Sequence, residues 1–573
     1  MGYKEQYDFW LNDSYFDDAT KAELAAISND EKEIEDRFYK ELEFGTGGLR
    51  GIIGAGTNRM NIYTVRKATQ GLANYILKQG GADKGVAIAY DSRNMSPEFA
   101  DEAACCLAAN GIKAYVFDEL RPTPELSFAL RTLGCISGIV VTASHNPPEY
   151  NGYKVYWEDG AQVTAPKDKE IIEEVRNVTD YHAVKAMTKE AAMEAGLYQV
   201  IGKDIDDAYM VELKKQIIHP EVIKEVADDI KIVYTPLCGT GNKPVRRILA
   251  ELGFKNVYVV PEQENPDPKF TTLEYPNPED PKAFTYALRL AKEKNADVVL
   301  ATDPDADRLG IYALDTKTGE YVPFTGNMSG MLIAEYIMRE RQATGTMPAN
   351  PALVKTIVTT NMSDVMTKHY GVKQIEVLTG FKFIGEQIKL FEQTGSNNYV
   401  FGLEESYGCL AGTHARDKDA IVAVMCLCEV AAWCKKNNKT LWDEMLDMYE
   451  KYGYFKEDMY TITLKGIDGS RQIAEMMDKL RSNPPKEFGE LKVLSFRDYE
   501  VDKVINMETG EKSTTGLPKS NVLYFELTND SWCCARPSGT EPKIKFYMGV
   551  KGSSLDDAKA KVEKLTADLK AVL

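Results

Sequence analysis

Histidine is scarce in this chain: five in 573 residues, no two of them close in sequence. A zinc centre built on clustered histidines is therefore not expected. No Cys-x-x-Cys spacing occurs among the ten cysteines. Cys105-Cys106 and Cys533-Cys534 are adjacent pairs, unsuited to an ordinary disulfide with themselves, and one residue separates Cys426 from Cys428. This usage predicts reduced, mostly buried thiols and a cytoplasmic protein. No apolar run approaches the length of a membrane span. The opening Met1-Gly2-Tyr3-Lys4-Glu5-Gln6 has neither the apolar stretch of a secretion signal nor the serine or threonine of a myristoylation signal, so no membrane partner is expected. Basic residues are outnumbered, 69 Lys and Arg against 87 Asp and Glu, for a net charge of −18. Such a chain repels phosphate backbones, and no nucleic-acid partner is expected. A few arginines and a cation gathered in one place could still hold a small phosphorylated molecule.

What is present is an ordinary globular composition, 44% hydrophobic and 27% charged. The length exceeds what one core serves and predicts roughly three to five domains. Strand-like Val86–Tyr90, helix-like Pro97–Asn110 and strand-like Gly138–Val141 alternate as in an α/β domain with a mixed or parallel sheet. The pattern restarts at Ile230–Tyr234, Asn242–Leu252, Val257–Val260, a helix over Lys282–Lys294 and a strand over Ala296–Ala301. It restarts again at Leu353–Thr359, a helix near Ser363–Tyr370, Gln374–Leu378, a helix at Ile384–Phe391 and Tyr399–Leu403. After Tyr454 the pattern changes, and a last helix is expected to begin at Ser554 as N-cap, with Asp556 and Asp557 in its first turn. The expected organisation is three related α/β mixed-sheet domains, 1–205, 206–325 and 326–453, followed by an α+β domain, 454–573. Before the first domain's strands, helix-like stretches cover Lys21–Ala26 and Glu31–Leu42. Four glycines between Gly45 and Gly51 then read as a loop where backbone approaches something closely or turns with positive φ.

Chemistry concentrates in loops that follow apolar strands. Ser144, in Thr142-Ala143-Ser144-His145-Asn146-Pro147, leaves such a strand and is a candidate nucleophile. Asp303-Pro304-Asp305-Ala306-Asp307-Arg308 leaves another, and three aspartates at alternate positions can turn toward one Mg²⁺. A solvated acidic turn is the plainer alternative. An EF-hand is excluded, because Arg308 and Leu314 stand where its glycine and glutamate belong. Arg536-Pro537-Ser538-Gly539-Thr540 offers an arginine fork, two hydroxyls and open backbone N–H groups to a phosphate, or is an ordinary hairpin turn. Gly402-Leu403-Glu404-Glu405-Ser406-Tyr407-Gly408 pairs carboxylates with a hydroxyl, suited to sugar hydroxyls or to a strand-to-helix turn. Lys154 and Lys382 are candidates for a general acid/base or a phosphate contact. Adjacent residues rarely point at each other, so His145 is expected to be loop architecture or a phosphate contact at the catalytic serine, not its base.

Taken together, these four loops, in this order, resemble those of the α-D-phosphohexomutase superfamily of phosphoglucomutases and phosphomannomutases. The likeness extends over nearly the whole chain, including Gly45–Gly51 and Asn265-Pro266-Asp267-Pro268-Lys269-Phe270. The length resembles the long phosphoglucomutase/phosphopentomutase-like branch. The resemblance implies four domains around a central cleft, the last of TATA-box-binding-protein-like fold. It implies a phosphorylated Ser144 that joins Asp303, Asp305 and Asp307 around Mg²⁺. Arg50 and Arg308 would lie at the transferring phosphoryl group. Glu404 and Ser406 would bind sugar hydroxyls, and Arg416 and Lys418 would assist. Arg536, Ser538, Gly539 and Thr540 would clamp the phosphate not being transferred. The implied reaction interconverts glucose 1-phosphate and glucose 6-phosphate, with glucose 1,6-bisphosphate as intermediate and primer. Sugar phosphates are the implied partners, and the protein would be a monomer or dimer. Some bacterial members carry a histidine two residues after the sugar-loop serine. Gly408 stands there, which weakens a dual glucose/mannose reading and leaves Lys382 as the better acid/base. Phosphopentomutase, phosphomannomutase and glucose 1,6-bisphosphate synthase remain alternatives. A phosphatase is disfavoured by the intact phosphate clamp, and a silent scaffold by the filled catalytic positions.

Overall fold

The protein is described from a computed structural model covering residues 2–44, 47–539 and 542–573, with the side chains of Gly466 and Ile467 outside the description. The chain forms two compact units. One contains Met1–Ser329, Phe381–Ser396 and Ser406–Leu441; the other contains Gly330–Gly380, Asn397–Glu405 and Trp442–Leu573.

In the first unit, strands β1 (Gly48–Ile52), β2 (Val86–Tyr90), β3 (Ala114–Phe117), β4 (Ser137–Val141), β5 (Tyr150–Trp157) and β6 (Tyr198–Ile201) form one sheet in the order β1-β5-β4-β2-β3-β6. Its β4-β2-β3-β6 part is parallel. The β5 strand returns antiparallel to β4, and β1 lies antiparallel to β5. All five residues of β4 are buried, as expected of a strand covered by helices on both faces. A second sheet repeats the plan. Strands β7 (Lys231–Thr235), β8 (Asn256–Val259), β9 (Val298–Thr302), β10 (Leu309–Leu314) and β11 (Tyr321–Phe324) run in the order β11-β10-β9-β7-β8. The β9-β7-β8 part is parallel, and β10 and β11 are antiparallel additions. The same unit holds β15 (Gly408–Ala411) and the helix Ala420–Lys436.

In the second unit, β12 (Pro351–Thr356) lies parallel to both β13 (Lys373–Val377) and β14 (Asn398–Glu404). The C-terminal sheet is wholly antiparallel. It contains β16 (Tyr454–Thr463), β17 (Glu487–Phe488), β18 (Leu491–Asp498), β19 (Lys503–Asn506), β20 (Lys512–Ser513), β21 (Leu523–Leu527), β22 (Ser531–Pro537) and β23 (Lys543–Gly552). Their order is β16-β23-β22-β21-β18-β19-β20, with β17 beside β18. The helix Leu555–Val572 packs Val562, Leu565 and Leu569 into the core of this domain. Ser554 caps it by accepting from Asp557 N at 3.1 Å, the N-terminus expected from sequence. All ten cysteines are buried and no disulfide joins any of them. Among the described residues, no helix is long and apolar enough to cross a membrane.

Three differences from the expected elements have physical causes. The glycine-rich stretch is not all loop: Gly48–Ile52 is the edge strand β1. Its glycine is needed for close approach, because a Cβ on Gly48 (φ +152°) would lie 1.9 Å from the Tyr153 carbonyl oxygen across the pair. The helix expected to reach Leu42 ends at Phe38. The segment expected to be helical from Lys282 opens with a 3₁₀ turn, Pro281–Phe284, before the α-helix Thr285–Lys294.

Gly48→Ala should cost about 1–3 kcal/mol, the range for overpacking a tight site. Chemical denaturation would show it, with hydrogen exchange localising the loss to β1 and β5; unchanged stability and protection would refute this account of Gly48.

Candidate active site

In both sheets of the first unit a central, fully buried strand ends in a polar loop and returns as an antiparallel neighbour. The loop after β4 carries Ser144; the loop after β9 carries Asp303, Asp305 and Asp307. Such carboxyl ends are where open α/β sheets bind ligands. Ser144 is 3% exposed and holds a left-handed backbone, φ +49°, a strain that non-glycine residues carry where the surroundings enforce it. Its N–H donates to Thr142 Oγ1 at 2.8 Å, and Oγ donates to Asp303 Oδ2 at 2.7 Å. The Ser144 turn also brings His145 Nδ1 to 3.2 Å from Oγ, so these neighbours do meet, contrary to expectation. Burial, then Arg308 and Arg50, hold the His145 pKa well below its usual value, which leaves the ring neutral.

The three aspartates are buried, and their ligand oxygens lie within 4.8 Å of one another. Each carboxylate is tied on one side. Asp303 Oδ1 accepts from the N–H groups of Asp307 and Arg308, both at 3.0 Å. Asp305 Oδ2 accepts from Thr123 Oγ1 at 2.9 Å and from Lys154 Nζ at 2.8 Å. Asp307 Oδ2 lies 3.2 Å from Lys418 Nζ and 3.7 Å from Lys154 Nζ. Asp305 Oδ1 and Asp307 Oδ1 are buried without a hydrogen-bond partner, and Asp303 Oδ2 faces the serine. Buried carboxylate oxygens left open in this way suit a hard divalent cation, and Asp303, Asp305 and Asp307 form a metal-binding site.

Without a cation, burial and then the charges of Asp305 and Asp307 raise the Asp303 pKa well above normal. Burial acts the same way on Asp305, but Lys154 and hydrogen bonds from Asp303 and Thr123 outweigh it and hold that pKa down. Burial lowers the Lys154 pKa less than Asp305 and Asp307 raise it, so the ammonium stays charged.

The loop backbone is fastened from several sides. Asp305 O accepts from Thr123 N at 2.9 Å, Pro304 O from Thr240 N at 2.8 Å, and Ala306 O from Ala420 N at 3.1 Å. Gly239 lets its turn lie against the loop: a Cβ there would come 2.4 Å from Pro304 Cα.

Other candidate residues are placed as follows. Arg50 Nη1 donates to Asn146 Oδ1 at 3.1 Å, which sets it against the serine loop. Arg308 pairs with Glu279 at 2.5 Å. Lys418 occupies the space beside Gly408: a Cβ at 408 would lie 2.1 Å from Lys418 Cδ. Arg416 is almost fully buried, and its guanidinium donates to the carbonyls of Thr413 and Ala415 and to Glu392. Lys382 is the second residue of the helix Phe381–Thr394. Its pKa is lowered by burial, opposed by Asp168 and Glu386. Ser406 is half-buried in the loop before β15.

In the second unit, Glu404 Oε1 accepts from Gly380 N at 2.8 Å. Arg536, the penultimate residue of β22, lies opposite Lys545, and Ser538 N donates to Lys543 O at 2.7 Å. Gly539 is exposed, and Thr540 lies outside the described residues.

Sequence reasoning missed Asp91, Arg93 and Thr123. Asp91 and Arg93 directly follow the buried strand β2, the same signal that marked Ser144 and Asp303. Thr123 opens the helix Thr123–Thr132 and gave no local signal. Glu405 accepts from Thr356 Oγ1 at 3.2 Å. Burial and then Glu404 push its pKa up to about 7, against hydrogen bonding and Arg536.

Comparison with known proteins agrees with this geometry. Profiles of phosphoglucomutase/phosphomannomutase alpha/beta/alpha domains I, II and III match residues 41–182, 207–316 and 325–452. A phosphoglucomutase from Staphylococcus aureus (strain USA300) is 36% identical over 538 residues, 93% of this chain and 94% of that protein. The chain belongs to the phosphoglucomutase/phosphomannomutase family. Its fold is also similar to solved family structures. That of pp63/parafusin, a phosphoglucomutase from Paramecium, matches with a TM-score of 0.67 at 19% identity, over 93% of this chain and 95% of that one. A family member from Burkholderia thailandensis matches with a TM-score of 0.64 at 19% identity, over 93% and 98%.

Two outcomes are expected. A saturating divalent cation should raise the melting temperature, with about 2.7 kcal/mol gained at a hundredfold excess over Kd; Asp305→Asn should remove most of this gain, and an equal shift in both proteins would refute the site. Separately, Glu405 keeps its proton in the folded state after the unfolded chain has lost its own, so its contribution to stability falls as pH rises from about 4.5 to about 7. Glu405→Gln should flatten that part of the stability–pH profile, measured by chemical denaturation.

Proposed function

We propose that this chain is an α-phosphoglucomutase that interconverts glucose 1-phosphate and glucose 6-phosphate through a phosphorylated Ser144 and glucose 1,6-bisphosphate. The observation that carries the reading is Ser144 Oγ, 2.7 Å from Asp303 Oδ2, beside two further carboxylates with open oxygens. Buried Arg93 and a neutral His145 lie against it. A serine hydrogen-bonded to one of three buried carboxylates that await a cation suits storage of a phosphoryl group.

In this reading Ser144 Oγ gives its phosphoryl to the free sugar hydroxyl, whose proton passes to a lysine. Lys382, with its pKa lowered by burial, is the proposed acceptor; Lys154, whose ammonium stays charged against Asp305 and Asp307, is a fixed cation of the aspartate site. The bisphosphate turns over, its other phosphoryl returns to Ser144, and the proton goes back to the departing sugar oxygen. Asp303, Asp305, Asp307 and the phosphorylated Ser144 would hold Mg²⁺, which would supply positive charge to the phosphoryl oxygens. Arg50 and Arg308 add to it, and positioning with charge stabilisation is most of what phosphoryl transfer asks of a protein. His145 is a neutral contact to the phosphate. Glu404 and Ser406 are proposed to bind sugar hydroxyls, with Lys418 and Arg416 supporting that loop. Arg536, Ser538, Gly539 and Thr540 are proposed to hold the phosphate that is not transferred.

The Gly408–Lys418 packing supports glucose over a dual glucose/mannose preference, since a histidine at 408 would displace Lys418 from the place it holds here. Ser144→Ala should lower kcat by at least about 10⁴-fold while leaving sugar-phosphate binding intact, measured by coupled assay and calorimetry; wild-type turnover in the variant would refute the mechanism. Intact-mass measurement should find one phosphate on Ser144. Turnover of mannose 1-phosphate or ribose 1-phosphate matching that of glucose 1-phosphate would overturn the assigned preference.

A further inference from the structure

The stretch Asn265-Pro266-Asp267-Pro268-Lys269-Phe270 has no place in the site described so far. It is a built turn. Asp267 Oδ2 accepts from Thr271 N at 2.8 Å and Thr271 Oγ1 at 2.6 Å, and Oδ1 accepts from Lys269 N at 3.0 Å. Phe270 N donates to Asp267 O at 3.0 Å. Phe270 is held in a left-handed conformation, φ +48°, and is fully buried. Its ring covers the guanidinium of Arg93, 5.2 Å from the centroid.

Arg93 is 1% exposed and comes from the turn after β2. Its Nη1 donates to Pro147 O at 2.8 Å and Tyr150 O at 3.1 Å. Its Nη2 donates to Ser144 O and Asn146 O. One side chain therefore collects four carbonyls of the serine loop. The Ser144 N–H is fixed from the same turn: Thr142 Oγ1, which accepts it, donates to Asp91 Oδ2 at 2.6 Å. Asp91 in turn accepts from Arg93 N at 2.9 Å and lies 3.3 Å from Arg93 Nε. Both backbone polar groups of Ser144 are thus held by Asp91 and Arg93, at the residue whose backbone is strained.

We infer that Arg93, capped by Phe270, is the positioning residue that holds the Ser144 loop in its phosphoryl-transfer geometry, and that the 265–273 turn serves to hold Arg93 in place. The inference rests on the phosphoserine reading above. A flat guanidinium can satisfy several carbonyls at once and stack on a ring; a lysine can do neither fully. Misplacing a reacting atom by about 1 Å costs on the order of 100-fold in rate. The substrate itself is held elsewhere, so its binding should not change.

The test compares full-length wild type, Arg93→Lys, Phe270→Leu and the double variant. Arg93→Lys should lower kcat about 100-fold and Phe270→Leu about 10-fold, with KM for glucose 1-phosphate within about twofold of wild type. The double variant should be no worse than Arg93→Lys within about twofold, because both changes act through one contact. The ³¹P resonance of phosphorylated Ser144 should move in both single variants, while stabilisation by divalent cation stays the same. If Arg93→Lys fails to fold, Phe270→Leu decides. A folded Phe270→Leu with wild-type kcat and an unmoved ³¹P resonance overturns the inference, as does Arg93→Lys raising KM alone. Absence of phosphate on wild-type Ser144 after incubation with glucose 1,6-bisphosphate would instead overturn the phosphoserine reading itself.

Discussion

Three carboxylates buried within 4.8 Å of one another repel, and taking charges out of water is costly unless they are paired and hydrogen-bonded. The surroundings of Asp303, Asp305 and Asp307 can be understood from that constraint. One oxygen of each is committed to a partner: backbone amides for Asp303, Thr123 and Lys154 for Asp305, Lys418 for Asp307. The uncommitted oxygens are left to a cation, and Ser144 closes the set from the opposite loop. The two lysines keep the site near electrical balance whether or not a cation is bound.

The same constraint explains why the site draws on distant parts of the chain. A loop of six residues cannot fasten itself against three like charges. Its carbonyls are taken by Thr123, Thr240 and Ala420, which open helices or lie just before one in three different α/β segments. Glycine at 239 lets a neighbouring turn lie flush against it. The serine loop is fastened by the same logic, with Arg93 gathering its carbonyls. Rigid sheets present both loops at the carboxyl ends of buried strands.

The loops were legible in the sequence because each is a polar run directly after an apolar strand, and the aspartate spacing is unusual. The strand–helix alternation was legible for the same reason: Val86–Tyr90 and Asn242–Leu252 were read with the bounds they have in the structure. What stayed hidden depends on contacts remote in sequence. The helix Ile62–Lys78 buries twelve of its residues, including polar ones, so its amphipathic signal is blurred. Thr123 lies 182 positions from its partner Asp305. Glycine beside β1 looked like a turn because sequence records the need for a missing Cβ, not whether the close neighbour is a ligand or another strand. The contact of His145 with Ser144 follows from a single left-handed residue, which no composition rule would assign to a serine.

The packing of Gly408 against Lys418 limits the paths by which such an enzyme could drift toward another sugar. A side chain at 408 would overlap the stem of Lys418 where it now lies. A lineage gaining one there would have to move the ammonium that sits against Asp307. The two positions are coupled through one contact, ten positions apart in the chain.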